Sequence, residues 1–184
     1  MEWSGCRGKG KKGFSLLELM LVISLLGILS AISIPSLLRS APERRLRNAA
    51  RNLYADLQRA RLVAVKENKK VTVRFNEVAG YYFIDKDAQW EEGYKVWDTD
   101  ELGKRLADYG GVIYGKGTAV KNWNKSVIKR VVPYRDIITF KPAGTASSAS
   151  VYLQHLHQDA VTYAVTTTTF GAVKVRTFNG SAWQ

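Results

Sequence analysis

The stretch Phe14–Leu38, FSLLELMLVISLLGILSAISIPSLL, is apolar over 25 residues and contains one ionisable side chain, Glu18. As a helix rising about 1.5 Å per residue it reaches roughly 37 Å, enough to cross a bilayer core with some tilt. Lys9, Lys11 and Lys12 precede it, a positive flank that favours a cytoplasmic N-terminus. The run exceeds the apolar core of a secretory signal, and no small-residue cleavage site followed by polar sequence closes it. It reads as a membrane-inserted segment. A plain anchor leaves Glu18 unexplained, because a carboxylate within a bilayer costs on the order of 3 kcal/mol and marks function by default.

The longer stretch KKGFSLLELMLVISLLGILSAISIP resembles the N-terminus of type IV pilins and type II secretion pseudopilins. The resemblance implies that Gly13 is the last leader residue, cut by a prepilin peptidase on the cytoplasmic face. Phe14 becomes the mature, N-methylated N-terminus. Glu18, the fifth mature residue, pairs with the free amine of a neighbouring Phe14 during filament assembly, and Pro35 matches the family's helix-kinking proline. Physics supports such a pair: an ammonium and a carboxylate that meet in hydrocarbon each offset the other's desolvation penalty.

With a 13-residue leader removed from 184 residues, one folded domain on a helical stalk is expected. Cys6 is the only cysteine and lies in that leader, so no disulfide or cysteine-metal framework is available. The formal charge is +12, but its distribution argues against a uniformly basic head. Residues 1–13 carry +3, residues 14–38 carry −1, residues 39–70 carry +7 and residues 71–184 only +3. Arg39, Arg44, Arg45, Arg47 and Arg51 lie on the far side of the apolar run, against the positive-inside tendency. Orientation therefore rests on the resemblance of the leader.

Beyond Pro35, Leu46, Ala50, Leu53, Leu57, Ala60 and Ala64 recur at alternating four- and three-residue steps, a narrow helical stripe. Arginines occupy much of the remaining surface, which is expected to be solvated. A stalk helix from Phe14 to about Glu67, with bends near Pro35 and Pro42, follows. From Lys70 onward the pattern becomes that of strands. They are expected at 71–75, 81–85, 94–97, 111–115, 126–132, 136–140, 150–156, 161–170 and 173–178, with turn chemistry at 76–80, 115–117 and 142–144. The expected fold class is α+β, a long N-terminal transmembrane and stalk helix followed by an antiparallel two-sheet β head. The expected divisions are a leader at 1–13, the helix at 14–69 and a periplasmic head at 70–184.

The head refines the resemblance. DIITFKPAGTASS followed by YAVTTTTFGAVKVRTFNG is similar to the C-terminal pattern of H-type pseudopilins and FimT-like minor pilins (the GspH/FimT family), in which an ITF-x-P-x-G turn precedes a strand pair with a glycine-containing hairpin. Residues 85–135 match no pattern of that kind.

Three clusters invite chemical readings. His155 and His157 share one face of an expected strand and could begin a metal site, but no third ligand has a recognisable spacing, and two surface histidines are expected. Between residues 85 and 108 there are eight acidic and four basic side chains, without the spacing of a calcium loop. Lys116, Lys121, Lys125, Lys129, Arg130 and Arg135 form a run free of acids, interleaved with Tyr114, Trp123 and Tyr134, and Lys174 and Arg176 add charge on the last strand. Basic groups with stacking aromatics are what a nucleic-acid surface needs, so Lys121, Trp123, Lys125, Lys129, Arg130, Lys174 and Arg176 are its candidate contacts. Some FimT-like proteins resemble this through a Gly-Arg-x-Arg element. Here the corresponding residues are Gly171, Ala172, Val173 and Lys174, a departure that makes a solvated basic loop the expected state and physiological nucleic-acid binding not expected.

No nucleophile elbow, phosphate loop, metalloprotease helix or cysteine pair is present, so no enzyme, cofactor or metal is expected. The resemblance implies a minor pseudopilin of a type II secretion system, held in the bacterial inner membrane with its head periplasmic and incorporated near the tip of a pseudopilus. Its implied partners are prepilin peptidase, other minor and major pseudopilins or pilins, membrane lipid and exported cargo. A FimT-like minor pilin of a type IV pilus, contacting DNA during uptake, and a membrane-anchored binding module that never polymerises remain open alternatives.

Overall fold

One helix, α1, spans Leu16–Lys66 and includes both Pro35 and Pro42 without interruption. Each proline removes a single backbone donor while the turns on either side continue. Glu18 lies in the first turn and Lys66 in the last, the charge order that the helix dipole favours. At the C-terminal end Asn68 adopts a left-handed conformation, φ 52°. The Lys69 amide donates back to the Ala64 carbonyl at 3.2 Å, the Schellman closure of a helix. The computed structural model describes residues 14–85 and 103–184, without the side chains of residues 32, 34–39, 158 and 159. Gly13 and the rest of the expected leader, the expected strand at 94–97 and most of the acidic stretch lie outside the described residues.

The chain divides into two compact units, Met1–Ser40 and Ala41–Gln184. The second contains two four-stranded sheets and the upper part of α1. The first sheet consists of β1 (Val71–Asn76), β2 (Tyr81–Asp85), β3 (Lys104–Arg105) and β5 (Ile137–Phe140), in the order β3-β2-β1-β5. The second consists of β4 (Val112–Tyr114), β6 (Ala149–His155), β7 (Gln158–Thr167) and β8 (Val173–Phe178), in the order β4-β6-β7-β8. Every pairing is antiparallel. The expected α+β architecture, a long helix followed by an antiparallel two-sheet head, is the observed one.

The stripe on α1 explains why helix and sheets associate. Leu46, Ala49, Ala50, Leu53, Leu57, Ala60 and Ala64 are all fully buried, in one cluster with Val71, Val73, Ile138, Phe140, Val151, Leu153 and Val165. Small alanines alternate with leucines, so the backbone approaches the strands closely while the leucines fill the space between them. The opposite face of the second sheet is also covered. Tyr152, Ala164 and Phe178 pack there with Ala119, Ile128, Trp123 and Trp183. Coverage on both faces accounts for the near-continuous burial of β7 between Thr162 and Thr167.

The segment expected as a strand at 126–132 is not one. Only Val127 forms a bridge, with Lys121. The Asn122 side chain accepts the amides of Asn124 and Ser126 at 3.0 and 2.9 Å, and Lys125 turns through φ 62°. This local side-chain competition replaces a ladder. The apolar residues instead plug both cores, Ile128 on the outer side and Val132 on the inner. The two-residue β3, too short to give a periodic signal, was not expected.

Candidate functional site

The N-terminal segment presents apolar side chains around its whole circumference. Phe14 is 80% exposed, and Leu16, Leu17, Leu19, Met20, Leu21, Ile23, Leu25, Leu26, Ile28 and Leu29 are exposed as well. A helix apolar on all sides is stable only when lipid or other protein surrounds it. The polar atoms within this run are arranged for such surroundings. Ser24, Ser30 and Ser33 each donate their hydroxyl to the carbonyl four residues earlier, at 2.8, 2.7 and 2.9 Å, so their donors need no water. Glu18 is exposed one turn into the helix, with no partner among the described residues. Among the described residues no helix is long and apolar enough to cross a membrane. From Leu16 to Ala31 the run reaches about 24 Å, short of a hydrocarbon core of about 30 Å. Most side chains of the remainder, 32–38, are outside those described, and Pro35 is placed only by its helical backbone.

The upper part of α1 is fastened to the sheets by polar contacts as well as by its stripe. Asp56, buried between Leu53 and Leu57, accepts the Tyr82 hydroxyl at 2.7 Å and lies 2.8 Å from the Lys104 ammonium. Burial, followed by the hydrogen bond to Asp56, raises the Tyr82 phenol above its usual range. The Arg61 guanidinium donates to the Gly144 carbonyl at 3.0 Å, Arg47 to the Tyr163 hydroxyl at 3.1 Å, and Arg45 to the Gly110 carbonyl at 3.3 Å. The arginine face is thus not simply solvated. Three of its members join α1 to loops and strands of the head. Asp56 escaped the sequence reading, although a lone carboxylate inside an apolar stripe is itself a signal of a buried partner.

His155 is buried, not the surface residue expected. Its Nε2 lies 3.1 Å from the Gly110 carbonyl, and its Nδ1 accepts the His157 amide at 3.2 Å. Nε2 therefore carries the proton, and both ring nitrogens are used within the fold. Gly111, with φ 94°, leaves room for the ring; a Cβ there would lie 2.9 Å from Nε2.

The basic candidates are divided between several environments. The Arg176 guanidinium lies over the Trp123 ring, 4.8 Å from its centroid. Trp183 meets Trp123 edge-on at 5.7 Å and donates its indole N–H to the Lys121 carbonyl at 2.7 Å. Lys121, Trp123 and Arg176 are thereby joined, with Lys174 two residues from Arg176 on the same face of β8. Arg130 is paired with Asp136 at 3.1 Å. Lys125 occupies the exposed turn and Lys129 is exposed beyond it. Trp123 is therefore a component of the outer core as well as a surface aromatic. Trp183 was missed, though a bulky aromatic in an otherwise small, polar C-terminal stretch is a recognisable signal of burial.

Comparison with known proteins identifies the architecture. The model of a family described as Type II transport protein GspH matches residues 49–171. That of the prokaryotic N-terminal methylation motif matches residues 8–34. A pilin-like protein, PilA1 of Thermus thermophilus, is 35% identical over 117 residues, covering 61% of this chain and 64% of that protein; the chain thus spans less than two thirds of this relative's length. Among solved structures, the minor pseudopilin EpsH of the Vibrio cholerae type 2 secretion system superposes with a TM-score of 0.50 at 13% identity, covering 71% of this chain and 95% of that one. The minor pilin FimU of Pseudomonas aeruginosa gives 0.45 at 13% identity, covering 72% and 89%. These are structural pseudopilins and pilins, not enzymes. With the GspH match spanning the last third of α1, the first sheet and all of the second except β8, and the methylation motif ahead of it, the chain is pilin-like and belongs to the GspH family of type II transport proteins.

Proposed function

We propose that this protein is a minor pseudopilin of a type II secretion system, cleaved between Gly13 and Phe14, N-methylated, and inserted near the tip of a periplasmic pseudopilus. The observation that carries the reading is the junction on α1 of the methylation motif, residues 8–34, with the GspH region that begins at residue 49. In this reading residues 1–13 are the leader, 14–69 the membrane and stalk helix, and 70–184 the periplasmic head. Residues 32–38 complete the span across the inner membrane. Glu18 receives the Phe14 ammonium of a neighbouring subunit, setting register and neutralising both charges in an apolar filament core. The head displays a surface to other minor pseudopilins or to exported protein.

Glu18→Ala tests the assembly role. It should insert and be cleaved at wild-type levels, while the filament-incorporated fraction falls at least tenfold, because an unpaired ammonium in hydrocarbon costs on the order of 3 kcal/mol. Normal incorporation would refute the role given to Glu18. The 35% identity to a pilin-like protein favours a second reading, a minor pilin of a type IV pilus. Deletion of the gene, with secreted proteins, pili and DNA uptake scored from one culture, separates the two. Loss of export with pili intact supports the pseudopilin, and loss of pili or uptake with export intact supports the pilin.

A further inference from the structure

Among the described residues, the outer edge of the second sheet is paired along β8 only at its C-terminal end. Thr177 exchanges backbone hydrogen bonds with Gln184 on its outer side, at 3.0 and 2.8 Å. At the other end of the strand the Thr168 amide bonds to Ala172 on the inner side. With the β7–β8 register running from Thr162↔Phe178 to Thr167↔Val173, alternation of the ladder directs the backbone groups of Val173 and Val175 outward, along the same edge as Thr177. Among the described residues neither has a partner on that side. Val175 is exposed.

The side chains beside this edge carry uncompensated charge. Lys174 and Arg176 alternate with the two valines and so share the outer face of the sheet. Among the described residues neither pairs with a carboxylate; the four ion pairs lie elsewhere. Arg176 is nonetheless held in place, with its guanidinium over Trp123 and its Nε buried without a hydrogen-bond partner. A guanidinium fixed in this way is oriented before a carboxylate arrives, and would meet it through its terminal nitrogens rather than through the buried Nε.

We infer that the outer edge of β8 is a docking site for an extended segment of a second protein, a strand with acidic side chains at every other position. Its backbone pairs with the outward groups of Val173 and Val175. Its acidic side chains meet Lys174 and Arg176 on the outer face, and its intervening apolar side chains lie beside Val175. Strand addition of this kind draws affinity from main-chain bonds and selectivity from alternate side chains. At Thr177 this edge already takes a backbone partner, Gln184. The inference goes beyond the filament role and does not depend on which machine the protein serves.

The test uses the full-length protein in detergent micelles and a labelled (Glu-Val)5 peptide, with (Lys-Val)5 and a (dT)10 oligonucleotide as competitors. Binding is followed by fluorescence anisotropy and by amide exchange. The acidic peptide should bind in a salt-dependent manner and slow exchange of the Val173 and Val175 amides at least tenfold, with (Lys-Val)5 ineffective. Val175→Pro removes one outward donor at an edge position where proline is tolerated, and should abolish binding. The double variant Lys174→Glu/Arg176→Glu should weaken it at least tenfold. Should the proline variant not fold, the wild-type exchange measurement decides alone. Peptide binding without protection of those two amides, or tighter binding of (dT)10 that Val175→Pro leaves intact, would overturn the inference.

Discussion

Gly171 is the residue at which a single methyl group should do most damage to the head. It sits at φ 75°, and a Cβ built there would lie 1.9 Å from the Gly144 carbonyl oxygen and 3.0 Å from Arg61 Nε. A carbon and a carbonyl oxygen approach to about 3.3 Å without penalty, so Gly171→Ala must move the two turns apart by roughly 1.4 Å. The same oxygen accepts the Arg61 donor at 3.0 Å, and separation of this size breaks that bond. The left-handed conformation costs an alanine about 1–2 kcal/mol, and the hydrogen bond to a charged donor contributes about 1.5–3 kcal/mol. Arg61 is partly exposed, so the lower figure applies, and the expected loss is about 3 kcal/mol. Gly80 provides the control, with φ 66° and nothing within 4 Å of its Cβ. Gly80→Ala should lose only the conformational part, about 1–2 kcal/mol. Urea unfolding of the full chain in mild detergent, followed by tryptophan fluorescence, measures both variants. Equal losses in the two would refute the reasoning, because the contact between the turns would then contribute nothing.

Other outcomes follow from the fastening of α1. Tyr82→Phe removes the hydroxyl that Asp56 accepts at 2.7 Å and should cost about 1–2 kcal/mol; a loss below 0.5 kcal/mol on the order of experimental error would mean that Lys104 alone satisfies Asp56. Leu53, fully buried in the stripe, should lose about 2–5 kcal/mol on replacement by alanine, whereas Arg59→Ala on the exposed face should stay within about 0.5 kcal/mol. Burial raises the Tyr82 and Tyr114 phenols above their ordinary value of 10.0. A phenol raised by folding contributes its stability in full below the unfolded pKa and loses it as pH rises toward the folded one. Stability should therefore decline from about pH 10 upward, and a titration of phenolate absorbance should show these two rings ionising only as the protein unfolds. Their ionisation in the native state near pH 10 would contradict this.

The fold was legible wherever a periodic signal was long. The stripe from Leu46 to Ala64 and the alternation in VTVRF and DIITF translate directly into buried faces. Short or competing signals were not legible. SVIKRVV has the composition of a strand, yet Asn122 captures the neighbouring amides and turns the chain before a ladder can form. His155 alternates correctly for a strand but gave no sign of being buried, because its partner is a backbone carbonyl at Gly110, 45 residues away. Arg45, Arg47 and Arg61 looked like a solvated face for a related reason, since their acceptors come from loops and strands remote in sequence. The N-terminal motif was legible as a contiguous string. The meeting of Trp123, Arg176 and Trp183 was not, because it requires the outer face of a sheet whose order emerges only on folding.

The burial of α1 within the head bears on how that head resists force. Between Leu46 and Ala64 seven buried side chains and the Asp56 contacts lie along one rigid rod. Tension applied along the rod at Ala41 loads all of them together, in shear, whereas a terminal strand pulled sideways would give way one pair at a time. Extraction then requires many contacts to fail in a single event, and the resistance is set by the unfolding rate. A load passed down the helix in this way reaches the head through all of these contacts at once while its sheets stay closed.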